Sequence, residues 1–554
     1  MGKADLVLTN ANVLTMDDSN PRAGSVAVEN GRITGVWNTP EPPKDAVDMT
    51  EKTSVVNLQG ATLLPGFIDT HNHILMYALM ADKVNCSTPP NHSIEDILQA
   101  VTNKAQESSN GGWIEGFGFD DTLIKEKRHI TRDDLDRAAP DHPVFIRHIS
   151  GHLGYANSLA LEYAGLDDFC SDPQAGHFGR DEQNSLNGVL YEHDAIEPVF
   201  NKIPGKTVDQ MTADLGKAAS EYLTHGITTN SDAKVTDLEE LEVHLKAARQ
   251  GLNPMRTRVM IMHDLLSDEK AFGTYTAEQL NQEILESSNG MAALDSAKMF
   301  QDGSIQGLTG ALRKPYYREP NLYGDFIHEQ NTFQEEVLDL HTRGFRIATH
   351  GNGDRAIGSI IDAYEYALKK RPSEHHKHRI EHVQTGTPDD LRRMRDLGIA
   401  GSFFINHVYY WGDRHENIFL GPERARRISP LADAIAEDLL FTLHSDCPVT
   451  PISPLFSVWA AVNRVTREGK ILGPDQRTDV MTSLKSMTIY GASLNFEKEH
   501  SGSIEVGKQA DFAVLEEDPT EVDPMTIKDI SVRATFIGGE RVYEKESLTT
   551  FSSK

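Results

Sequence analysis

The chain has 554 residues, 54 Lys plus Arg against 83 Asp plus Glu, a formal net charge of −29 and a hydrophobic share of 38%. That length predicts a large domain with at least one smaller companion, and the 42 glycines fit a globular protein with many tight connections. The negative charge repels phosphate backbones and anionic membrane surfaces, so nucleic acid and membrane are excluded as expected partners.

The acidic runs at 237–242 and 516–518 read as solvated surface. Cys86, Cys170 and Cys447 are far apart and lack C-x-x-C spacing, which predicts neither a disulfide framework nor a cysteine zinc site. The opening residues 1–15 lack a basic region and cleavage pattern, and no run approaches the roughly 20 apolar residues of a membrane span, so a cytoplasmic protein is expected.

From residue 4 to 36 the text alternates in short strand-like pieces closed by Asn or Gly turns. A matching pattern returns at 511–515 and 530–543, with Gly538-Gly539 as a hairpin turn. The two ends, 1–61 and 497–554, therefore predict one small composite β-sandwich domain. Between them, short apolar strands alternate with longer helical stretches, the signature of βα units. Candidate strands fall at 62–70, 226–231, 257–262, 296–301, 346–350, 379–382, 399–404 and 440–445. Eight such units predict an α/β fold, a (β/α)8 TIM barrel over 62–496. The gap of about 150 positions after the first strand is too long for an ordinary connection and predicts an inserted subdomain at about 91–203.

Candidate chemistry begins at Pro65-Gly-Phe-Ile-Asp-Thr-His71-Asn-His73. Strand side chains alternate faces, so residues two apart point the same way and both imidazoles can meet one metal ion. A His-x-His pair by itself recurs by chance. The pattern gains force because His350, His382 and Asp446 each end a later strand candidate, at the rim where barrel active sites gather. Taken singly, each of these also reads as a core histidine or a helix N-cap.

These residues resemble the amidohydrolase superfamily over nearly the whole chain. The likeness rests on Gly66-Phe-Ile-Asp-Thr-His-Asn-His73, Lys298-Met-Phe-Gln-Asp-Gly-Ser304, His350, Glu381-His382, His444-Ser-Asp446 and the closing segment 502–511. The lysine stretch and closing segment are most similar to the branch containing N-substituted formamide deformylases. The resemblance implies metal ligation by His71, His73, Lys298, His350, His382 and Asp446. It further implies one or two divalent ions such as zinc, and a homodimer. An ammonium has no lone pair and would repel a dication, and the resemblance implies that Lys298 is N6-carboxylated; a free lysine would point to a single-metal site, and the other reading is an ordinary salt-bridging lysine.

The implied reaction is hydrolysis of a non-peptide carbon–nitrogen bond of a small linear amide by metal-activated water, an N-substituted formamide being the favoured substrate. Asp446 is the expected general base, and His382 either stabilises the oxyanion or only ligates. Alternatives are a cyclic amide or other carbonyl substrate, and a non-catalytic scaffold retaining the barrel. His152, in the Gly151-His-Leu-Gly154 stretch, and Asp302 and Ser304 are candidate substrate contacts, each with a structural reading beside it. Asp354 and Glu381 read as supporting or capping groups. His407, Tyr409, Tyr410 and Trp411 read as an aromatic pocket or as packing. Relatives carry Gly-Ser-Arg-Thr after Asp-Gly-Ser and a Gln-Pro on strand seven. This chain has Ile305-Gln-Gly-Leu-Thr309 and Phe404-Ile-Asn406, departures that bear on substrate rather than on ligands.

Overall fold

The computed structural model describes residues 2–149, 152–174 and 176–545. It divides into two compact units, one built from residues 1–77 and 212–554, the other from 78–211.

In the first unit, eight parallel strands follow one another around a barrel: β1 (Phe67–Asn72), β2 (Ile227–Val235), β3 (Arg256–Met262), β4 (Ala292–Phe300), β5 (Ile347–Gly351), β6 (Arg379–His382), β7 (Ala400–Phe403) and β8 (Phe441–Leu443). Seven neighbouring pairs are joined by parallel ladders, with register shifts in the β1–β2, β2–β3 and β3–β4 pairs. At the seam, the Asp446 N–H donates to the His71 carbonyl (3.1 Å), the His73 N–H donates to the Cys447 carbonyl (2.7 Å), and the Thr70 and Thr442 hydroxyls meet at 2.8 Å.

The helices between strands start and stop on local chemistry. Helix Pro388–Leu397 opens on a capping box in which the Asp390 N–H donates to the Thr387 hydroxyl (3.2 Å) and the Thr387 N–H donates to the Asp390 carboxylate (3.0 Å). Gly398, at φ +69°, closes it in the left-handed region where a glycine carries no Cβ penalty.

The barrel interior is unusually polar. Arg379 on β6 is fully buried, bonded to Glu381, 3.3 Å from Asp295 and donating to the Thr70 carbonyl at 3.1 Å, while Arg346 pairs with Asp295 at 2.7 Å. Every charge in this network has an opposite neighbour, the condition for keeping ions out of water.

The single strand expected at 62–70 is two strands. Thr62–Pro65 pairs antiparallel with Phe512–Leu515 and parallel with Asn12–Leu14, in a sheet drawn from both ends of the chain, and only Phe67–Asn72 enters the barrel. The break falls at Gly66, where a Cβ would meet the Thr228 hydroxyl at 2.1 Å, so a close crossing sets the boundary. A four-stranded sheet of Arg32–Trp37, Ser25–Glu29, Leu6–Thr9 and Ser54–Asn57 shares a core with that sheet. Leu6, Leu8, Val26 and Val28 face Phe512, Val514 and Phe536 there, while Val7 and Ala27 turn to the opposite side.

The second unit is a six-stranded mixed sheet with helices on both faces. Strand Val144–His148 shows why: Val144 and Ile146 join the core under helices Ile94–Glu107 and Arg132–Ala138, and Phe145 joins the core under Ser158–Tyr163 and His193–Phe200. The sequence boundaries of 91–203 for an insertion are narrower than this unit, because strand Val84–Asn85 pairs with Ile114–Phe119. Among the described residues, no helix is long and apolar enough to cross a membrane.

Candidate metal centre

Every ligand candidate lies at the carboxyl end of a barrel strand. His73 Nε2 stands 3.1 Å and His71 Nε2 3.4 Å from Asp446 Oδ1, and the rings of His71 and His382 are 5.0 Å apart. Ligand atoms of His71, His382 and Asp446 all lie within 4.8 Å of one another. His350 Nδ1 is 3.0 Å from His382 Nε2. Lys298, fully buried on β4, places its Nζ 4.8 Å from the Phe300 ring centroid, and Phe300 in turn lies against the His350 ring. The structure thus brings together all six: His71, His73, Lys298, His350, His382 and Asp446.

Lys298 Nζ is buried in this cluster with no hydrogen-bond partner, and Asp446 Oδ1 is approached by the imidazole nitrogens of His71 and His73. Orphaned buried polar atoms are rare and costly, about 1–3 kcal/mol each. Lone pairs from imidazoles and a carboxylate converging on one point fit a divalent cation, which would satisfy them together.

The backbone is strained at the same place. His382 (φ +71°), Val383 (φ +45°) and Asp446 (φ +53°) all occupy the left-handed region. Such residues cost on the order of 1–3 kcal/mol each and gather where a site over-determines its geometry.

Electrostatics follow from burial. Desolvation, reinforced by Lys298, pushes His350 down to about 4, and desolvation with His350 holds His382 well below the ordinary imidazole value. Burial and Lys298 work to lower His71 too, but Glu381 and Asp446 outweigh them and raise it. Asp446 is opposed by its own burial, yet His71 and His73 hold it well below the usual carboxylate range. Burial lowers Lys298 to about 8.

Supporting groups lie directly behind the cluster. Glu381 Oε2 accepts from His71 Nδ1 at 2.6 Å, fixing the tautomer that presents Nε2 to the centre. His444, which sequence reasoning quoted without a role, is 3.1 Å from His382 Nδ1 and 2.7 Å from the Ser402 hydroxyl. Asp69 and Ser445, likewise quoted without a role, bond at 2.6 Å across the barrel seam. Only the i, i+2 spacing of Asp69 from His71 and the neighbourhood of Ser445 to Asp446 hinted at them.

The expected substrate contacts fare differently. Asp302 is fully buried, and its carboxylate is consumed by the N–H groups of Asn352 (3.0 Å), Gly353 (2.8 Å) and Ala311 (2.8 Å). It anchors the loop after His350 instead of facing a ligand. The Ser304 hydroxyl accepts from the Gly307 N–H at 2.9 Å, and its own N–H donates to Thr309. It therefore braces its own loop. His152 lies in the 78–211 unit, exposed, with Nδ1 2.9 Å from Glu192 Oε2; its neighbour Gly151 lies outside the described residues. Asp354 accepts from the Arg313 N–H at 2.8 Å. Tyr409 packs on Phe456 and Trp459, whereas His407 and Trp411 lie beside Phe404, on the His382 side.

A parallel barrel whose rim gathers imidazoles, a buried lysine and a carboxylate defines a metal-dependent hydrolase. The amidohydrolase family model matches residues 54–543. Over 98% of both chains the protein is 30% identical to an N-substituted formamide deformylase of Arthrobacter pascens. It is 28% identical to Protein LONG AFTER FAR-RED 3 of Arabidopsis thaliana, over 98% of this chain and 92% of that one. Among solved structures, an uncharacterized metal-dependent hydrolase from Pyrococcus horikoshii OT3 matches with a TM-score of 0.74 at 22% identity, covering 94% of this chain and 99% of that one. The chain belongs to the amidohydrolase family, and it is a hydrolase.

Proposed function

We propose that the protein hydrolyses the carbon–nitrogen bond of a small linear amide, with N-substituted formamides the favoured class. The observation that carries the reading is the convergence of His71, His73, His350, His382 and the Asp446 carboxylate at one barrel rim that also holds the buried, unpartnered Lys298 Nζ. The full-length relationship to the Arthrobacter pascens deformylase supports the substrate class.

His71, His73, His382 and Asp446 would hold one zinc-class ion, with His350 and a carboxylated Lys298 completing a site for a second. Bound there, such ions supply Lewis acidity toward the substrate carbonyl and toward water. Burial lowers Lys298 to about 8, so a larger neutral fraction of its amine is available to attack carbon dioxide, forming an N–C bond and releasing one proton. The product carbamate is an anion and removes the repulsion an ammonium would exert on a cation. Asp446, unprotonated at neutral pH, accepts a proton from the attacking water and delivers it to the departing nitrogen. His382, braced through Nδ1 by His444, has two roles open to it: stabilising the charge that develops on the carbonyl oxygen, or ligation alone.

Elemental analysis of the purified protein, combined with a screen of N-substituted formamides, longer acyl amides and cyclic amides, tests the proposal. Release of formate and amine by protein carrying divalent metal is the expected result. Activity confined to ring opening would overturn the substrate class.

A further inference from the structure

The structure assigns a second, separate transition-metal site on the outer side of the barrel, built from His263, His328 and Glu336. Ligand atoms of these three residues lie within 4.8 Å of one another, and all three are partly buried. His263 directly follows β3, whose last residue, Met262, is in register with Lys298. His263 itself opens the short helix His263–Leu266, where the chain leaves the strand for the helical layer. Glu336 comes from that layer, on helix Gln330–Thr342. His328 comes from the connection between β4 and this helix, and Gln301 clamps its backbone: the His328 N–H donates to Gln301 Oε1 (3.2 Å), and Gln301 Nε2 donates to the His328 carbonyl (3.2 Å).

A plain ion pair between His328 and Glu336 is the competing reading, since His328 Nδ1 and Glu336 Oε2 are 3.0 Å apart. It leaves His263 unexplained: Nε2 stands 3.6 Å from Asp264, but Nδ1 is buried without a hydrogen-bond partner while the ring packs edge-on against His328, 5.1 Å away. Two imidazoles and one carboxylate form a donor set for zinc, cobalt or a similar borderline ion, with solvent at the remaining position. An ion there would tie the end of β3, the long β4 connection and the following helix together. That connection carries Asp302 and Gly303, which contact the loop bearing His350.

Stoichiometry decides between the two. Metal-stripped wild type, the His328→Ala variant, the Glu336→Gln variant and a His71→Ala/His73→Ala variant are titrated with zinc chloride. Bound metal per chain is counted, and circular dichroism confirms the fold. Wild type should bind one equivalent more than either His328→Ala or Glu336→Gln. The double variant should retain that equivalent, and cobalt substitution in it should give a visible d–d band that Glu336→Gln abolishes. Equal metal content in wild type and Glu336→Gln would overturn the assignment, whatever the barrel mouth holds. Should His328→Ala fail to fold, the metal content of Glu336→Gln is sufficient on its own, since that substitution changes one charge on a partly exposed helix face.

Discussion

Asp446 carries the proton transfer in the proposed reaction, and its amide analogue separates that task from ligation. The Asp446→Asn variant, assayed with its metal sites saturated, should lose on the order of 10²–10⁴-fold in turnover, the usual weight of general acid–base catalysis. Near-wild-type turnover with metal bound would remove Asp446 as the base. Glu381 acts one step further out, gripping His71 on one side and Arg379 on the other. Glu381→Gln should weaken metal binding about 10–100-fold, as loss of an outer-sphere partner does. It should also cost about 3–5 kcal/mol of stability by leaving a buried arginine half-paired. Denaturant unfolding and metal competition read the two effects separately. His378 is distant in function: burial first, then His376 and His341, holds it well below the ordinary value of 6.5. The unfolded chain protonates this group below 6.5 and the folded chain does not, so its contribution is intact above that pH and is lost on acidification. The urea midpoint should fall between about pH 7 and pH 5, and His378→Gln, if folded, should flatten that fall; an unchanged slope would show that other groups set it.

At the scale of elements, the break between Thr62–Pro65 and β1 is what passes the chain from the terminal sheets into the barrel. Gly66 makes the crossing because any Cβ would press on Thr228. Gly66→Ala should therefore destabilise by about 1–3 kcal/mol through overpacking, measured as a lower melting temperature, and pairing it with Thr228→Ala should restore part of the loss. Full retention of stability in the single variant would mean the crossing is looser than its geometry. The apolar run from 62 to 70 reads as one strand because periodicity reports burial, not which sheet provides it. Similarly, Asp302 and Ser304 look available at a strand end. Whether such a side chain meets a ligand or backbone N–H groups depends on loops distant in sequence, here 311 and 352–353.

For the whole molecule, the buried thiols offer a direct check of packing. Burial raises Cys86 and Cys447 each to about 12, so at about pH 8 only about one thiol in 10⁴ is ionised, and each is also shielded from solvent. Native protein treated with iodoacetamide should be modified at Cys170 and spared at Cys86 and Cys447; labelling of Cys447 without unfolding would show that the barrel seam opens. The eight-strand repeat, the paired histidines and the later His350, His382 and Asp446 were legible in order, since strand periodicity and strand-end position are local properties of the chain. Lys298 stood out by family likeness alone, because a lysine at a strand end is otherwise unremarkable. Glu381 was read in the sequence as a supporting or capping group, and the tertiary structure alone decided between these and added His444 behind the metal candidates. It alone turned Asp302 inward and brought His263, His328 and Glu336 within reach of one another. Apart from His328 and Glu336, those contacts join positions tens to hundreds of residues apart, and the packing of the barrel, which no local pattern encodes, is what makes them neighbours.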